Sequence, residues 1–377
     1  MNAEQLLKIY RFECIDFFEF RVVKFLVYNF IVIFSISTLF QTALFIYKFE
    51  LNYLIRFGPS YVIIIYLLTI LIYIPILVEI LNEVTTDLGS RRLECDNDIV
   101  NTQIEKELTQ GIVYMVISLI CGIVTGSTYA IASDEENQLV YIFPLCEEYF
   151  PTWTFIVEWG FRCSIIFIYC LAITSPSHYI IYGLLLIRLE EHRLLHSLRN
   201  VNQNYEKQEQ LDLASQNIIK ERLISCLKRH IHFSRSIRKI LKKSENLVLP
   251  LQIESVLYFM SIVVNSLMVD GTLSKLSYWR LISLTVTAVV ALSGLSFYGQ
   301  KIEDLSENIF NCLINIKWYH WNDTNKKLYL MFLQNSLKPF KIKFTENISV
   351  NYKMGIEIIK SFFSFISVVR QLQKKRD

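Results

Sequence analysis

Glycine and proline are scarce in this chain of 377 residues, 11 and 7 in all, so neither a collagen-like repeat nor a long disordered tract fits. Charge is scarce too. Asp, Glu, Lys and Arg make up 19% and leave a formal +3, too little basic surface for a nucleic-acid partner. The eight cysteines form no CxxC pair, and no Walker lysine loop, GxGxxG or GxSxG is present. Structural zinc, a disulfide framework, nucleotide chemistry and a nucleophile elbow therefore lack their usual footholds. The carboxylate pairs Glu135–Glu136 and Glu147–Glu148 stand in a loop, and His192 and His196 have i, i+4 spacing without the glutamate of a zincin. No enzyme, cofactor or metal is expected.

What the chain has is apolar mass: 53% hydrophobic residues, 26 Phe and 21 Tyr, and a mean hydropathy of +0.34. A bilayer core of roughly 30 Å needs about 20 mostly apolar residues in a helix. Seven runs of that kind appear: Phe25–Tyr47, Ser60–Leu81, Gly111–Ala132, Gly160–Ile187, Leu247–Val269, Trp279–Tyr298 and Ile348–Arg370. The last carries Lys353, Glu357 and Lys360. The expected fold class is therefore all-α integral membrane with seven transmembrane helices and no separate globular domain. The first run is too long for a signal peptide and follows Lys8, Arg11, Arg21 and Lys24, so it is expected to be retained.

Orientation follows from the Lys/Arg bias of the connecting segments. Segments 1–24, 82–110, 188–247 and 299–347 together hold 27 Lys and Arg, whereas those on the other side hold 6, with none in 133–159. The N-terminus is thus expected in the cytoplasm and the C-terminus outside, the reverse of a G-protein-coupled receptor. The sequons at Asn322 and Asn347 fall on the cytoplasmic side and are expected to carry no glycan.

The cytoplasmic segments also have helical period. Ile219, Leu223, Leu227, Ile231, Ile237 and Leu241 keep near-helical spacing across Ile218–Lys243, and Ile302, Leu305, Ile309, Leu313 and Ile316 recur at three and four. A further helix over Thr324–Leu337 should stop at Lys338–Pro339. Together these form a cytoplasmic helical bundle; the alternative is a peripheral amphipathic helix on anionic lipid. The chain then divides into 1–187 (spans one to four, with an acidic outer loop 133–159), 188–347 (cytoplasmic extensions, spans five and six, and the further helix) and 348–377. Cys146 and Cys163 both fall outside, where they can pair or stay free. Gly122 and Gly126 make a GxxxG in the third span, which serves either close packing or a small ligand.

In the seventh span Met354, Glu357, Ser361, Ser364 and Val368 fall on one helical face. A carboxylate and two hydroxyls in a span should face protein or water. Around a shared axis they would line a pore, with Glu357 favouring cations and Val368 forming an apolar gate; the alternative is a polar helix interface inside one subunit.

The C-terminal third resembles the insect odorant receptors. The residues that carry the likeness are Trp318, Tyr319 and Trp321; Leu328–Met331 with Gln334; Lys338–Pro339; and Ser361–Phe365 running to Val368–Gln371. Phe143–Pro144 and Tyr149–Pro151 are similar to that family's second outer loop, whereas Lys341–Glu346 departs from the turn many relatives have. The resemblance implies an odorant-gated, non-selective cation channel in the plasma membrane of sensory-neuron dendrites, working as a tetramer with the odorant co-receptor Orco. The 188–247 loop is shorter than the co-receptor's, which implies a tuning subunit, with the cytoplasmic bundle as anchor and Val368 as gate. A small volatile odorant would bind in the outer half of the bundle, where Tyr66, Thr125, Tyr129, Phe161, Ile165, Met268 and Ser283 are the candidates by depth. A gustatory receptor is the runner-up, with a secondary transporter and a G-protein-coupled receptor behind it.

Overall fold

A computed structural model describes residues 3–47, 51–89, 98–131, 147–203, 212–268, 275–343 and 349–376 of the chain. Within these it is helical almost throughout. The long helices are α2 (Arg21–Tyr47), α3 (Leu51–Gly89), α4 (Asp98–Ala130), α5 (Pro151–Arg199), α6 (Leu213–Met268), α7 (Lys275–Ile314) and α9 (Tyr352–Arg376). Each overlaps one of the seven apolar runs, and α3 to α7 continue well past the apolar part. A short α8 (Asp323–Ser336) lies between α7 and α9, and α1 (Ala3–Arg11) precedes α2.

Four of the described helical stretches are long and apolar enough to cross a membrane by length and composition: Arg21–Tyr47, Tyr61–Thr86, Val100–Thr128 and Ile282–Ile314. Their outer faces agree with that. Val22, Phe25, Val32 and Leu39 of α2 are exposed, as are Val113, Val116, Ile120 and Val124 of α4 and Ile282, Val286 and Val289 of α7. Apolar faces on this scale suit lipid rather than water.

At the centre stands α5, which packs on α3, α4, α6 and α7. Its stretch Ile181–Ile187 is buried residue after residue, as expected of a helix surrounded on all sides. Against its flank lies the N-terminal segment, which sequence periodicity left unassigned. After α1 the chain makes a wide π turn over Phe12–Asp16 and a last helical turn, then extends at Phe20 and enters α2. Tyr10 fixes this segment, stacking on Tyr182 with ring centroids 5.7 Å apart and donating to the Leu108 carbonyl at 3.0 Å.

The pattern along and just past the end of α7 holds at every position: Ile302, Leu305, Ile309, Leu313 and Ile316 are all buried. On α6 it holds at Ile219, Leu223, Ile237 and Leu241, and Leu227 is partly buried. Ile231 departs from it at 44% exposed; the buried neighbours are His230 and Phe233. The ring of His230 packs against Phe332 of α8 at 5.0 Å between centroids. The α8 helix spans nearly the expected residues. Its first turn is capped by Asn322, whose side chain accepts from the Asn325 backbone N–H at 2.9 Å.

Three residues behind the family resemblance are structural anchors for this layer. Trp321 donates to Asn202 at 3.0 Å, Tyr329 donates to the Leu313 carbonyl at 3.1 Å, and Trp318 stacks on Tyr329. The other face of α8 leaves Leu330, Met331 and Leu337 exposed.

Candidate functional site

Helices α4 and α7 meet from Glu107 and Lys301 at one end to Thr128 and Arg280 at the other, and the upper part of that contact is a seam of hydroxyls. Thr125 on α4 is fully buried and bonds Thr287 of α7, Oγ1 to Oγ1, at 2.8 Å. One turn further, Thr128 reaches Ser283 at 3.3 Å. The seam ends in a buried cation: Arg280 donates Nε–H to the Thr128 carbonyl at 2.8 Å and Nη2–H to the Ile131 carbonyl. Thr128 is in the last turn of α4 and Ile131 is the residue after it, and a guanidinium there suits the negative end of the helix dipole. An arginine that would be costly in lipid thus becomes a clasp between two helix ends.

Of the seven residues chosen by depth, Thr125 and Ser283 are brought into this one seam. Tyr66 is half-buried on α3, which packs against α6 rather than α4. One turn below Tyr66, Thr69 donates to Glu254 of α6 at 2.9 Å. The side chains of Tyr129, Phe161, Ile165 and Met268 lie outside the described residues, as does Cys146; Cys163 is an exposed free thiol. Gly122 and Gly126 are both buried in α4.

Sequence reasoning missed Thr128, Thr287, Arg280 and Glu254. Arg280 and Glu254 carried a usable signal, because an ionisable side chain inside an apolar run is a functional candidate by default. The other Glu254 oxygen is buried without a hydrogen-bond partner among the described residues.

Lower in the bundle the helices are joined by charge. Arg188 of α5 pairs with Glu107 of α4 at 2.9 Å and with Glu191 one turn along. Lys301 of α7 stands 3.7 Å from Glu107, and Asn308 of α7 donates to Glu191 at 3.1 Å. Two carboxylates and two cations thus balance in a site largely closed to solvent.

Nearby, a Ser–His–Glu chain links Ser118, His178 and Glu13 at 2.5 and 2.7 Å. The single Ser118 proton has two neighbours, the Met115 carbonyl at 2.9 Å and His178 Nε2 at 2.5 Å. With Ser118 and His178 buried, the chain acts as a tether from the N-terminal π turn to α4 and α5.

The inner part of α7 also holds α9. Glu303 accepts from Ser349 at 2.6 Å and from Asn351 at 3.2 Å, and Asn351 in turn accepts from the Met354 backbone N–H as the helix opens. Contact is close because two glycines permit it. A Cβ on Gly299 would stand 2.1 Å from the Val350 carbonyl oxygen, and one on Gly355 would stand 2.7 Å from Ser296 Oγ. Glu357, Ser361, Ser364 and Val368 are all exposed, whereas Met354, assigned to the same stripe, is buried.

The described residues form an all-helical membrane bundle, and comparison with known proteins says to which class it belongs. The family model described as 7tm odorant receptor matches residues 51–363, and the chain belongs to the insect odorant receptor family, whose members are olfactory ligand-gated channels. Two solved structures share the fold. The insect olfactory receptor OR5 from Machilis hrabei in complex with eugenol has a TM-score of 0.66 at 10% identity, over 98% of this chain and 97% of that one. A second structure of the same receptor gives 0.63 at 9% identity, over 93% and 89%. No curated protein matches by sequence.

Proposed function

We propose that the chain is an odorant-tuning subunit of a non-selective cation channel, with seven spans, a cytoplasmic N-terminus and an external C-terminus, assembled with the co-receptor Orco as a heterotetramer in sensory-dendrite membrane. The observation that carries this is the surface of α9. Among the described residues, one flank with Met354, Gly355 and Ile358 packs on the rest of the chain. At about 100° per residue, Glu357, Ser361, Ser364 and Val368 make one exposed sector, and Ile356, Ile359 and Phe363 make a second, with Phe363 69% and Val368 51% exposed. A polar sector suits water and an apolar one a neighbouring subunit or lipid. Copies arranged about an axis would satisfy both, with the carboxylate at the cytoplasmic mouth and the valine as a dewetting gate. The exposed Leu330, Met331 and Leu337 of α8 then fall to the cytoplasmic anchor between subunits.

The ligand is a small, largely apolar odorant held in the outer half of the bundle, of the size class represented by the eugenol of the Machilis receptor. Thr125 and Ser283 would orient it. Tyr129, Phe161, Ile165 and Met268 would supply shape on the same side, and Tyr66, beside the buried oxygen of Glu254, a second polar corner. Transmission has a physical carrier, since α7 bears the hydroxyl seam at one end and the α9 dock at the other. A ligand that separates α4 from α7 shifts the gate only by binding the dilated state better. The test is co-expression with Orco and current recording over an odorant panel. Ligand-dependent cation current that Val368→Ser makes leaky at rest is expected; surface-expressed complexes silent to the whole panel count against the reading.

A further inference from the structure

At the inner end of the bundle, away from the seam, helices α4, α5 and α7 enclose a cavity of about 630 Å³. That is far more room than ordered water needs and lies within the range of small-molecule sites. Its chemistry is unlike an odorant pocket. The lining includes Arg199, Lys317, His192 and a row of amides, Asn311 and Asn315 among them. Its one carboxylate, Glu191, is already held by Arg188 and by Asn308, so it does not oppose an anion. Arg199 and Lys317 remain as positive charge that the inner ion cluster does not balance. His192 also borders the cavity; it is 9% exposed, with Nε2 turned toward Glu107 at 3.5 Å.

We propose that this cavity binds a phosphorylated small molecule, a multiply charged phosphate ester that Arg199 and Lys317 pair and that the asparagine amides surround. Cations with planar or multiple donors, together with amide donors, are the usual means of holding phosphate oxygens. In the orientation proposed above the cavity opens to the cytoplasm, so the ester is either free in solution or the headgroup of an inner-leaflet phosphoinositide. Occupancy would tie the ends of α4, α5 and α7 together at the level where α9 is docked.

The test uses the full chain with its co-receptor in nanodiscs, which expose both faces, so the result depends on neither orientation nor any odorant. One arm adds soluble inositol trisphosphate to discs of neutral lipid; the other dopes the discs with phosphatidylinositol bisphosphate. A saturable rise in melting temperature is expected in at least one arm, and which arm responds names the source. Arg199→Gln and Lys317→Gln, both on exposed residues, should each weaken the response about tenfold. No shift in either arm at millimolar phosphate ester, or equal binding by the Arg199→Gln/Lys317→Gln double variant, overturns the proposal.

Discussion

The two ends of the α4–α7 contact are built from different interactions. At the outer end the helices share hydroxyls and backbone carbonyls; at the inner end they share buried charges. A hydroxyl that loses its partner can turn to a carbonyl of its own helix, whereas a carboxylate buried beside an arginine has no second choice. The outer end is therefore compliant and the inner end stiff. That combination suits a receptor whose helices must part around a ligand at one level while keeping their arrangement at another.

The largest expected effect tests the stiff end. Arg188→Met leaves Glu107 and Glu191 buried with Lys301, His192 and Asn308 beside them, and breaking a buried pair from one side costs about 3–5 kcal/mol. Surface expression should collapse, and any purified receptor should melt well below the parent. The comparison fails if Arg188→Met proves no more harmful than a threonine-to-valine change in the outer seam.

Next in size is Gly299→Ala. The added methyl meets the Val350 carbonyl oxygen at 2.1 Å, and backbone cannot swing aside as a side chain can, so about 1–3 kcal/mol of overpacking strain is expected. Because the strained contact is the α9 dock, the expected signature is altered resting current with near-normal surface expression. Normal gating would show that the dock does not transmit.

A third test asks whether the stiffness extends into the layer around α8. Burial against α8 pushes the His230 imidazole down to about 4 from its ordinary 6.5. Both folded and unfolded chains hold it neutral above pH 6.5, so it contributes nothing there. Between pH 6.5 and 4 only the unfolded chain takes up the proton, so stability falls as pH falls, by about 2 kcal/mol at pH 5. Melting temperature should drop between pH 7 and 5, and His230→Gln should flatten that drop; an unchanged slope would assign it to other groups.

The inner region was only partly legible in the sequence, and the reason is separation along the chain. Ile302 through Ile316 announce a buried face because a helix repeats its own surface every three or four residues. The same rule placed α8 within a residue or so of its ends and set Glu357, Ser361, Ser364 and Val368 on one sector. It erred at Ile231, where a 26-residue pattern drifts off register and the buried ring belongs to His230. It misplaced Met354, which sits at the boundary between packed and open flanks. Periodicity says nothing of Tyr10 on Leu108, Glu13 on His178, or Arg188 on Glu107, because partners about 80 to 165 residues apart leave no local mark on one another. Depth fared similarly with the candidate site: it put Tyr66, Thr125 and Ser283 in the outer half, yet could not tell that two of them share an interface while the third belongs to another.

The smallest effect belongs to the seam itself and is the sharpest test of compliance. Thr287 Oγ1 has the Thr125 hydroxyl at 2.8 Å, the Ser283 carbonyl at 2.9 Å and the Cys121 carbonyl at 3.4 Å. Thr125→Val removes one of these and leaves the Thr287 hydroxyl bonded to its own helix, so the loss should be about 1 kcal/mol or less. Thr287→Val should cost about as much. If their shared bond is the main loss in each, the double variant costs hardly more than either single change. Odorant sensitivity should respond differently from stability, because a ligand hydroxyl that exchanges into the seam needs Thr125 or Thr287 as its partner. A shift in half-maximal odorant concentration without a matching fall in melting temperature marks the seam as the compliant, ligand-exchanging end. Equal losses in both measurements would make it an ordinary packing contact and remove the distinction between the two ends.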